Sequence, residues 1–531
     1  MPLSRVRRCD PARDKLAPVD ETSTKPEPKK STTRKAAASP RKAVARGATA
    51  APGGNRGDPI VPEEFLFGVA TAGFQVEGGF NGPGEPANNW ANWEAAGRVE
   101  PSGIAIDFWN RYEDQLDLVA SMGCNSFRMS VEWARVEPAE GEIDDKALAR
   151  YAAILDACRG RGLEPLVTLA HFTHPEWLGV DFWLRPDAPD RFAGWTELVL
   201  DRLGDRCRRW VTLNEVNILA SGSFLIGQFP PGRVGAARDT AEAFENLLSA
   251  HVAAYEAIHR SQPDAVVGTN TASTSLYELD RMLTDLLLFR GRGVARRDLI
   301  PWLAARRHEW YQELAPPGIK ERALRGATAR PAMRRLGASV RRSGRSRGLL
   351  DRIEESEHER LIDVVQIDYY DPLVSRHLRM PGHHTAGGRS WSPARRLWDD
   401  VVNPGGLITY LRANASDGLD VWIAENGLCN RVRNGRSYDR LDGWDRARYL
   451  RENLAAVVAA RDAGIPVAAY FHWTLADNYE WGSYEPRFGL FGVDRARRAR
   501  VSNLDSMGGD AAGAYREIIA GLRSGDRSVL R

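Results

Sequence analysis

The chain has 531 residues, 43% of them hydrophobic and 27% charged, with a formal net charge of +3; this is ordinary globular composition, ample for a large core. No run of about 18 apolar residues is present, which argues against a transmembrane helix, and the amino terminus lacks the apolar stretch of a secretory signal. Cys9, Cys124, Cys158, Cys207 and Cys429 are scattered, odd in number and never spaced as Cys-x-x-Cys, which argues against a disulfide framework or zinc site and for reduced thiols in a cytoplasm.

Residues 1–58 hold 14 Lys and Arg against 6 Asp and Glu, a net charge of +8, in a composition rich in Pro, Ala, Ser and Thr. Such a segment buries too little apolar surface to order itself, and it reads as a disordered basic tail. From about residue 60, short strand-like runs alternate with helix-like stretches, the pattern of a parallel sheet with crossover helices. The strand candidates are Phe65 to Val76, Ser126 to Trp133, Pro165 to His171, Trp210 to Glu215, Val266 to Thr271, Val364 to Tyr370, Val421 to Glu425 and Val467 to Leu475. Between the second and third, Ala147 to Arg161 reads as an amphipathic helix, with Leu148, Tyr151, Ile154, Leu155 and Cys158 on one stripe and Gly162 as a stop. Arg191 to Leu203 has similar spacing.

The connection from about 272 to 363 is too long for a simple loop. It offers a helix near Leu279 to Phe289, an aromatic patch at Trp302, Trp310 and Tyr311, and an Arg-rich stretch through Arg347; residues 281–350 carry 17 basic and 5 acidic side chains. We read it as an inserted lid or docking element, with partial disorder between Arg325 and Arg347. The tail and this insertion are candidates for weak contact with a polyanion through charge alone, against the plainer reading of a solubilising tail and a solvated surface.

Eight strands close a barrel, although an open doubly wound sheet also alternates strands with helices. Polar residues favour the barrel: Gln75, Arg128, His171, Glu215, Tyr370, Glu425 and Trp473 lie at or near the carboxyl ends of their strands, where barrel enzymes place their chemistry. No Gly-x-Gly-x-x-Gly opens a helix, as a phosphate-binding turn would. The expected architecture is thus a (β/α)8 barrel over residues 59–525, including the basic insertion at about 281–350.

Two segments carry the chemistry. Thr212-Leu213-Asn214-Glu215 and Ile423-Ala424-Glu425-Asn426-Gly427 each end an apolar run with a Glu. A carboxylate is expensive to place at the end of a buried strand, and two facing one pocket are the equipment for cleaving a glycoside. Taken singly these residues have plainer readings: a Glu at a strand end is commonly a surface residue, a lone His a hydrogen-bonded structural one, and an isolated Trp core.

With Phe65 to Ala72 running into Gln75-Val76-Glu77-Gly78, Phe127-Arg128-Met129-Ser130, Thr168 to His171, Thr212 to Glu215, Glu425-Asn426-Gly427, Trp473 to Trp481 and Arg487-Phe488-Gly489-Leu490, the chain resembles glycoside hydrolase family 1, the retaining β-glycosidases built on a (β/α)8 barrel. The resemblance implies a β-glucosidase-like hydrolase that takes a β-glycoside small molecule or oligosaccharide and needs no metal or organic cofactor. It makes Glu215 the acid/base, Glu425 the nucleophile, Arg128 the cation beside the nucleophile and Tyr370 its hydrogen-bond donor. Asn214 then meets the sugar 2-hydroxyl, Gln75, His171 and Glu480 the other hydroxyls, and Trp473 and Trp481 the apolar sugar faces. Glu480 stands where relatives acting on 6-phosphorylated sugars carry a small hydroxyl residue, so an unphosphorylated glycone is expected; gluco, galacto and fuco configurations stay open.

The chain departs from the family at Val216, Ala424 and Asp368, where proline, threonine and asparagine are usual. Asp368 matters most, because a third carboxylate near the pair either raises a neighbour's pKa or itself stays protonated. His174 leaves the aglycone side open. A competing reading from another class is a catalytically weak sugar-binding scaffold whose basic appendages hold a polyanion; retention of both glutamates argues against it.

Overall fold

The computed structural model describes residues 58–314, 333–338, 340, 348–370, 402–415, 418–433, 436–438, 440 and 442–531. The basic tail before residue 58 and most of the stretch between Arg325 and Arg347 lie outside the described residues. The strands run, in chain order, β1 Leu66–Ala70, β2 Ser126–Ser130, β3 Glu164–Ala170, β4 Arg209–Leu213, β5 Val266–Gly268, β6 Asn270–Ala272, β7 Val365–Asp368, β8 Val421–Asn426, β9 Asn430–Arg433, β10 Arg436–Tyr438 and β11 Val467–Trp473.

Nine of these form one parallel sheet in the order β5-β4-β3-β2-β1-β11-β8-β7-β6. β5 and β6 are halves of a single strand parted at Thr269, the first paired with β4 and the second with β7. The ring therefore has eight strand positions and closes through Thr269, whose Oγ1 donates to the Leu213 carbonyl at 2.9 Å. β9 and β10 form a separate antiparallel hairpin, extended on the β9 side by Pro486–Arg487.

Strand residues sort into two cores by the alternation of a pleated chain. Leu66, Ala70, Leu166, Val211, Ala469 and Phe471 fill the barrel interior. Phe67, Val69, Val167, Leu169, Trp210 and Tyr470 join the larger core under the surrounding helices. Both faces are thus buried, which is why these strands read as continuous apolar runs. Gly68 makes room inside, because a Cβ there would sit 2.6 Å from the Phe471 ring and 2.8 Å from the Ser126 carbonyl.

The helix expected at Ala147 to Arg161 spans Asp145–Gly160, with Asp144 accepting from the backbone of Lys146 at 2.8 Å and Ala147 at 3.2 Å. The side-chain cap supplies its start. The helix expected from Arg191 begins at Ala188, with Pro189 in the first turn, a position that needs no backbone N–H.

Several strands are shorter than the sequence predicts, because the chain turns at once into short helices. β1 stops at Ala70 and is followed by a helix over Gly73–Val76, β2 stops at Ser130 before a helix over Trp133–Val136, and β4 stops at Leu213 before Val216–Ser221. Phe74 and Trp133 give no local sign of this, being as apolar as strand residues.

The described part of the long connection is helical wall. Helices Arg281–Leu288, Leu299–Glu313 and Leu349–Glu355 bury Met282, Leu283, Leu286, Leu287, Leu303 and Leu350. Trp310 is also buried: its indole donates to the Ser275 carbonyl at 3.2 Å and its ring meets Tyr277 and Tyr410. Arg281 pairs with Asp285, Arg296 with Asp351 and Glu354, and Arg306 with Asp285, so the positive charge here is matched in part. Among the described residues no helix is long and apolar enough to cross a membrane.

Candidate active site

The carboxyl ends of the strands converge on one group of charges. Arg128, fully buried on β2, spends its guanidinium on four acceptors: Nη1 donates to Glu425 Oε1 at 2.8 Å and to the Ala424 carbonyl at 3.1 Å, Nη2 to Asn214 Oδ1 at 2.5 Å, and Nε to Thr168 Oγ1 at 3.2 Å. Tyr370 Oη donates to the other oxygen of Glu425 at 2.7 Å. Glu425 therefore has a cation on one oxygen and a hydroxyl on the other. Burial raises its pKa, and Arg128 and then Tyr370 pull it back towards the ionised form.

Glu215 follows β4 in a left-handed conformation, φ 38°, which turns the chain from strand to helix. Its backbone N–H donates to Asn270 Oδ1 at 3.2 Å. Burial first, and the negative Glu425 second, push its pKa well above the usual carboxylate range. Arg128 opposes this only at a distance, since its donors are engaged elsewhere. The two glutamates thus differ in environment: a cation and a hydroxyl favour the ionised form of Glu425, whereas burial and the neighbouring charge favour the protonated form of Glu215.

Asp368, at the end of β7, enters the same space. Oxygens of Glu215, Asp368 and Glu425 all lie within 4.8 Å of one another. Asp368 Oδ2 accepts from Asn270 Nδ2, and Oδ1 stands 3.8 Å from Arg128 Nη1. Arg128 supplies the positive charge that faces all three carboxyls.

A second group forms the wall. Gln75 Nε2 donates to the Tyr479 carbonyl at 2.7 Å and to Glu480 Oε2 at 3.2 Å, while the Trp473 indole donates to Glu480 Oε1 at 3.0 Å. Burial pushes the Glu480 pKa up to about 8. The His171 ring stacks on Trp473 at 5.8 Å and on Trp481 at 5.7 Å. Asn214 links wall to centre through a 3.0 Å contact between its Nδ2 and His171 Nε2. Asn214 Oδ1 already accepts from Arg128, so Nδ2 is the donor and His171 Nε2 the acceptor. The proton of the neutral ring then sits on Nδ1; burial, together with Arg128, keeps the imidazole uncharged.

Two polar atoms in this wall are left over. His171 Nδ1 and Gln75 Oε1 are buried without a hydrogen-bond partner among the described residues. A free donor and a free acceptor beside an aromatic platform match a sugar, whose hydroxyls do both and whose C–H face is apolar.

All ten residues singled out in the sequence are brought together here: Arg128, Asn214, Glu215, Tyr370 and Glu425 at the centre, Gln75, His171, Trp473, Glu480 and Trp481 at the wall. His174 is used structurally: Nε2 meets the Gly179 carbonyl at 3.1 Å, and its ring packs on Phe182. Sequence reasoning missed Asn270 and Thr168. Asn270 joins Glu215, Asn214 and Asp368, the Asn214 contact being 2.9 Å. Its signal was available, as a polar residue within the fifth strand candidate.

Comparison with known proteins gives a consistent result. The model of "Glycosyl hydrolase family 1" matches residues 58–520. A 6-phospho-beta-galactosidase of Clostridium acetobutylicum is 25% identical over 459 residues, covering 81% of this chain and 92% of that protein. Beta-glucosidase A of Thermotoga maritima is 26% identical over 467 residues, covering 83% and 94%. The solved structure of beta-glucosidase from Thermotoga maritima in complex with noeuromycin superposes with a TM-score of 0.65 at 23% identity, over 87% of this chain and 98% of that one; at this identity the likeness shows the barrel fold.

Proposed function

This chain belongs to glycosyl hydrolase family 1 and is a glycoside hydrolase of the retaining β-glycosidase family; on that premise we propose that it releases a terminal, unphosphorylated β-linked sugar, with Glu215 as acid/base and Glu425 as nucleophile. The observation that carries the assignment is the asymmetry of the pair. Arg128 and Tyr370 both hold Glu425, at 2.8 and 2.7 Å, while Glu215 has neither. Separation supports the same reading, since an oxygen of each glutamate lies within 4.8 Å of one on the other, closer to the roughly 5 Å of a retaining pair than to the about 6.5–9.5 Å of an inverting one.

In the first step Glu425 attacks the anomeric carbon as the glycosidic C–O bond breaks, and Glu215 gives its proton to the departing oxygen. The product is an aglycone alcohol and a glycosyl ester on Glu425. In the second step Glu215, now a carboxylate, takes a proton from water, whose oxygen attacks the same carbon and restores Glu425. Asn214 bonds the 2-hydroxyl, a contact that strengthens as positive charge develops on the ring. His171 Nδ1–H, Gln75 Oε1 and Glu480 meet the remaining hydroxyls, and Trp473 and Trp481 carry the sugar's apolar face. The catalytic unit is residues 59–525.

Phosphorylated substrates are the second reading, favoured by the 6-phospho-beta-galactosidase relatives. Glu480 weighs against them. It receives hydrogen bonds from Trp473 and Gln75 and supplies no positive charge in either protonation state, whereas a phosphate dianion needs cationic or multiple N–H donors. Nitrophenyl β-glucoside, β-galactoside and β-fucoside assayed beside 6-phosphorylated counterparts decide it: a higher kcat/KM on any 6-phospho compound refutes the unphosphorylated reading. Glu425→Ala is expected to abolish turnover, and unchanged hydrolysis by that variant refutes the mechanism. Wild-type protein inactive on every aryl glycoside is the outcome that supports a scaffold instead.

A further inference from the structure

Resting on the reading of Glu215 as acid/base, we propose that Asp368 is its proton-sharing partner, the two carboxyls holding one proton between them in the resting enzyme, so that the proton donor of the reaction is the pair. The argument begins from an unsatisfied atom. Asp368 is fully buried, and its Oδ1 has no hydrogen-bond donor of the ordinary kind among the described residues. A buried carboxylate oxygen without a donor is costly.

The donors nearby are committed. Asn270 Nδ2 serves Oδ2, and Arg128 Nη1, 3.8 Å from Oδ1, is spent on Glu425 and the Ala424 carbonyl. Tyr370 donates to Glu425. Glu480, the remaining acid that acts on Glu215, is bonded to Trp473 and Gln75 in the wall. Two carboxyls face Asp368, each with an oxygen within 4.8 Å of one of its own: that of Glu425, whose two oxygens are taken by Arg128 and Tyr370, and that of Glu215. Two carboxyls this close, each desolvated, titrate as a pair and bind the first proton more tightly than either does alone.

Charge balances through the cycle. At rest, Arg128 offsets Glu425 and the pair carries one negative charge. As the glycosidic bond breaks, the shared proton leaves on the aglycone oxygen and the pair gains a charge. In the same step Glu425 becomes a neutral ester and loses one. The charge of the site is unchanged, and Arg128, released from the charge of Glu425, lies 3.8 Å from Asp368 Oδ1. Asp368 is thus a positioning residue that acts through Glu215. An asparagine, the residue expected here from the family pattern, holds no such proton.

Asp368→Asn tests this in the whole enzyme, because it keeps shape and restores the amide. The readout is the pH dependence of kcat/KM on two aryl β-glycosides, phenyl, whose leaving group needs a proton, and 2,4-dinitrophenyl, whose leaving group does not. With phenyl, the alkaline limb of Asp368→Asn is expected to fall at least about one pH unit below wild type, because the proton of Glu215 is no longer held against a second charge. With dinitrophenyl, whose departure needs no proton, the rate over the same alkaline range is expected to be alike in the two proteins. An unmoved limb with phenyl, or an equal shift with both substrates, overturns the proposal. Asn270→Ala gives an independent measurement should the first variant fold poorly: removing the donor to Oδ2 makes Asp368 hold its proton more tightly, so the phenyl limb moves to higher pH. A shift downward, or none, overturns it. Absence of any hydrolysis by the wild type instead removes the assignment of Glu215 on which the inference rests.

Discussion

Tyr370→Phe isolates one contact of Glu425, the proposed nucleophile. The variant keeps the ring, which packs edge-on against Phe488 at 5.9 Å, and deletes a hydroxyl donating to Glu425 Oε2 at 2.7 Å. A hydrogen bond to a charged acceptor contributes about 1.5–3 kcal/mol to the ionised form. At 1.36 kcal/mol per pKa unit, its loss raises the pKa of Glu425 by about one to two units. The sign follows from the direction: the hydroxyl favours the anion, so without it Glu425 takes up a proton at higher pH. Arg128 remains at 2.8 Å and still favours the ionised form. The expected result is an acid limb of kcat/KM for a nitrophenyl β-glycoside displaced upward by about one to two pH units, with a smaller loss on the plateau and a thermal midpoint close to wild type. An acid limb within about 0.3 units of wild type, a difference of only about 0.4 kcal/mol, would show that the hydroxyl does not control this carboxylate.

Glu480 gives a stability test. Burial raises its pKa from 4.5 to about 8, so its protonated form is favoured by folding and its contribution is full below the unfolded value and lost as pH rises towards 8. Wild type is therefore expected to lose about 2–3 kcal/mol more unfolding free energy than Glu480→Gln between pH 6 and 9 in urea titrations, and an equal loss in both proteins refutes the assignment. Glu215→Gln should cut kcat/KM at least about 100-fold for a phenyl glycoside and far less for a dinitrophenyl glycoside, since general acid catalysis contributes about 10²–10⁴-fold only where the leaving group needs it; equal losses on both contradict its role. Gly427→Ala should abolish activity or soluble expression, because the added Cβ would lie 2.1 Å from the Trp473 carbonyl oxygen; a fully active, stable variant contradicts the packing.

The barrel was legible because its strands are buried on both faces, and Val167, Val211 and Ile423 lie in runs whose apolar character needs no partner to be seen. Strand ends were less so. Phe74 and Trp133 are apolar in helices as they would be in strands, and the turn at Glu215 is a matter of backbone angle that its side chain does not announce. At the site, Glu215, Glu425 and Arg128 could be named because charged groups at the ends of apolar runs are conspicuous. Asn270 escaped notice: an amide in a short strand looks ordinary until three neighbours are seen to lean on it. Trp310 was seen only as part of an aromatic patch in a lid or docking element, and only folding reveals the ring pocket that takes it.

The approach of Gly427 to the carbonyl of Trp473 joins two tasks that an engineer would prefer to keep apart. Glu425 lies two residues before that glycine and the proposed sugar platform begins at that carbonyl, so any remodelling that shifts the platform to admit a new glycone drags the proposed nucleophile with it. Altered sugar preference in this scaffold is therefore better sought at Gln75, His171 and Glu480, whose side chains can change while the backbone under the nucleophile stays still.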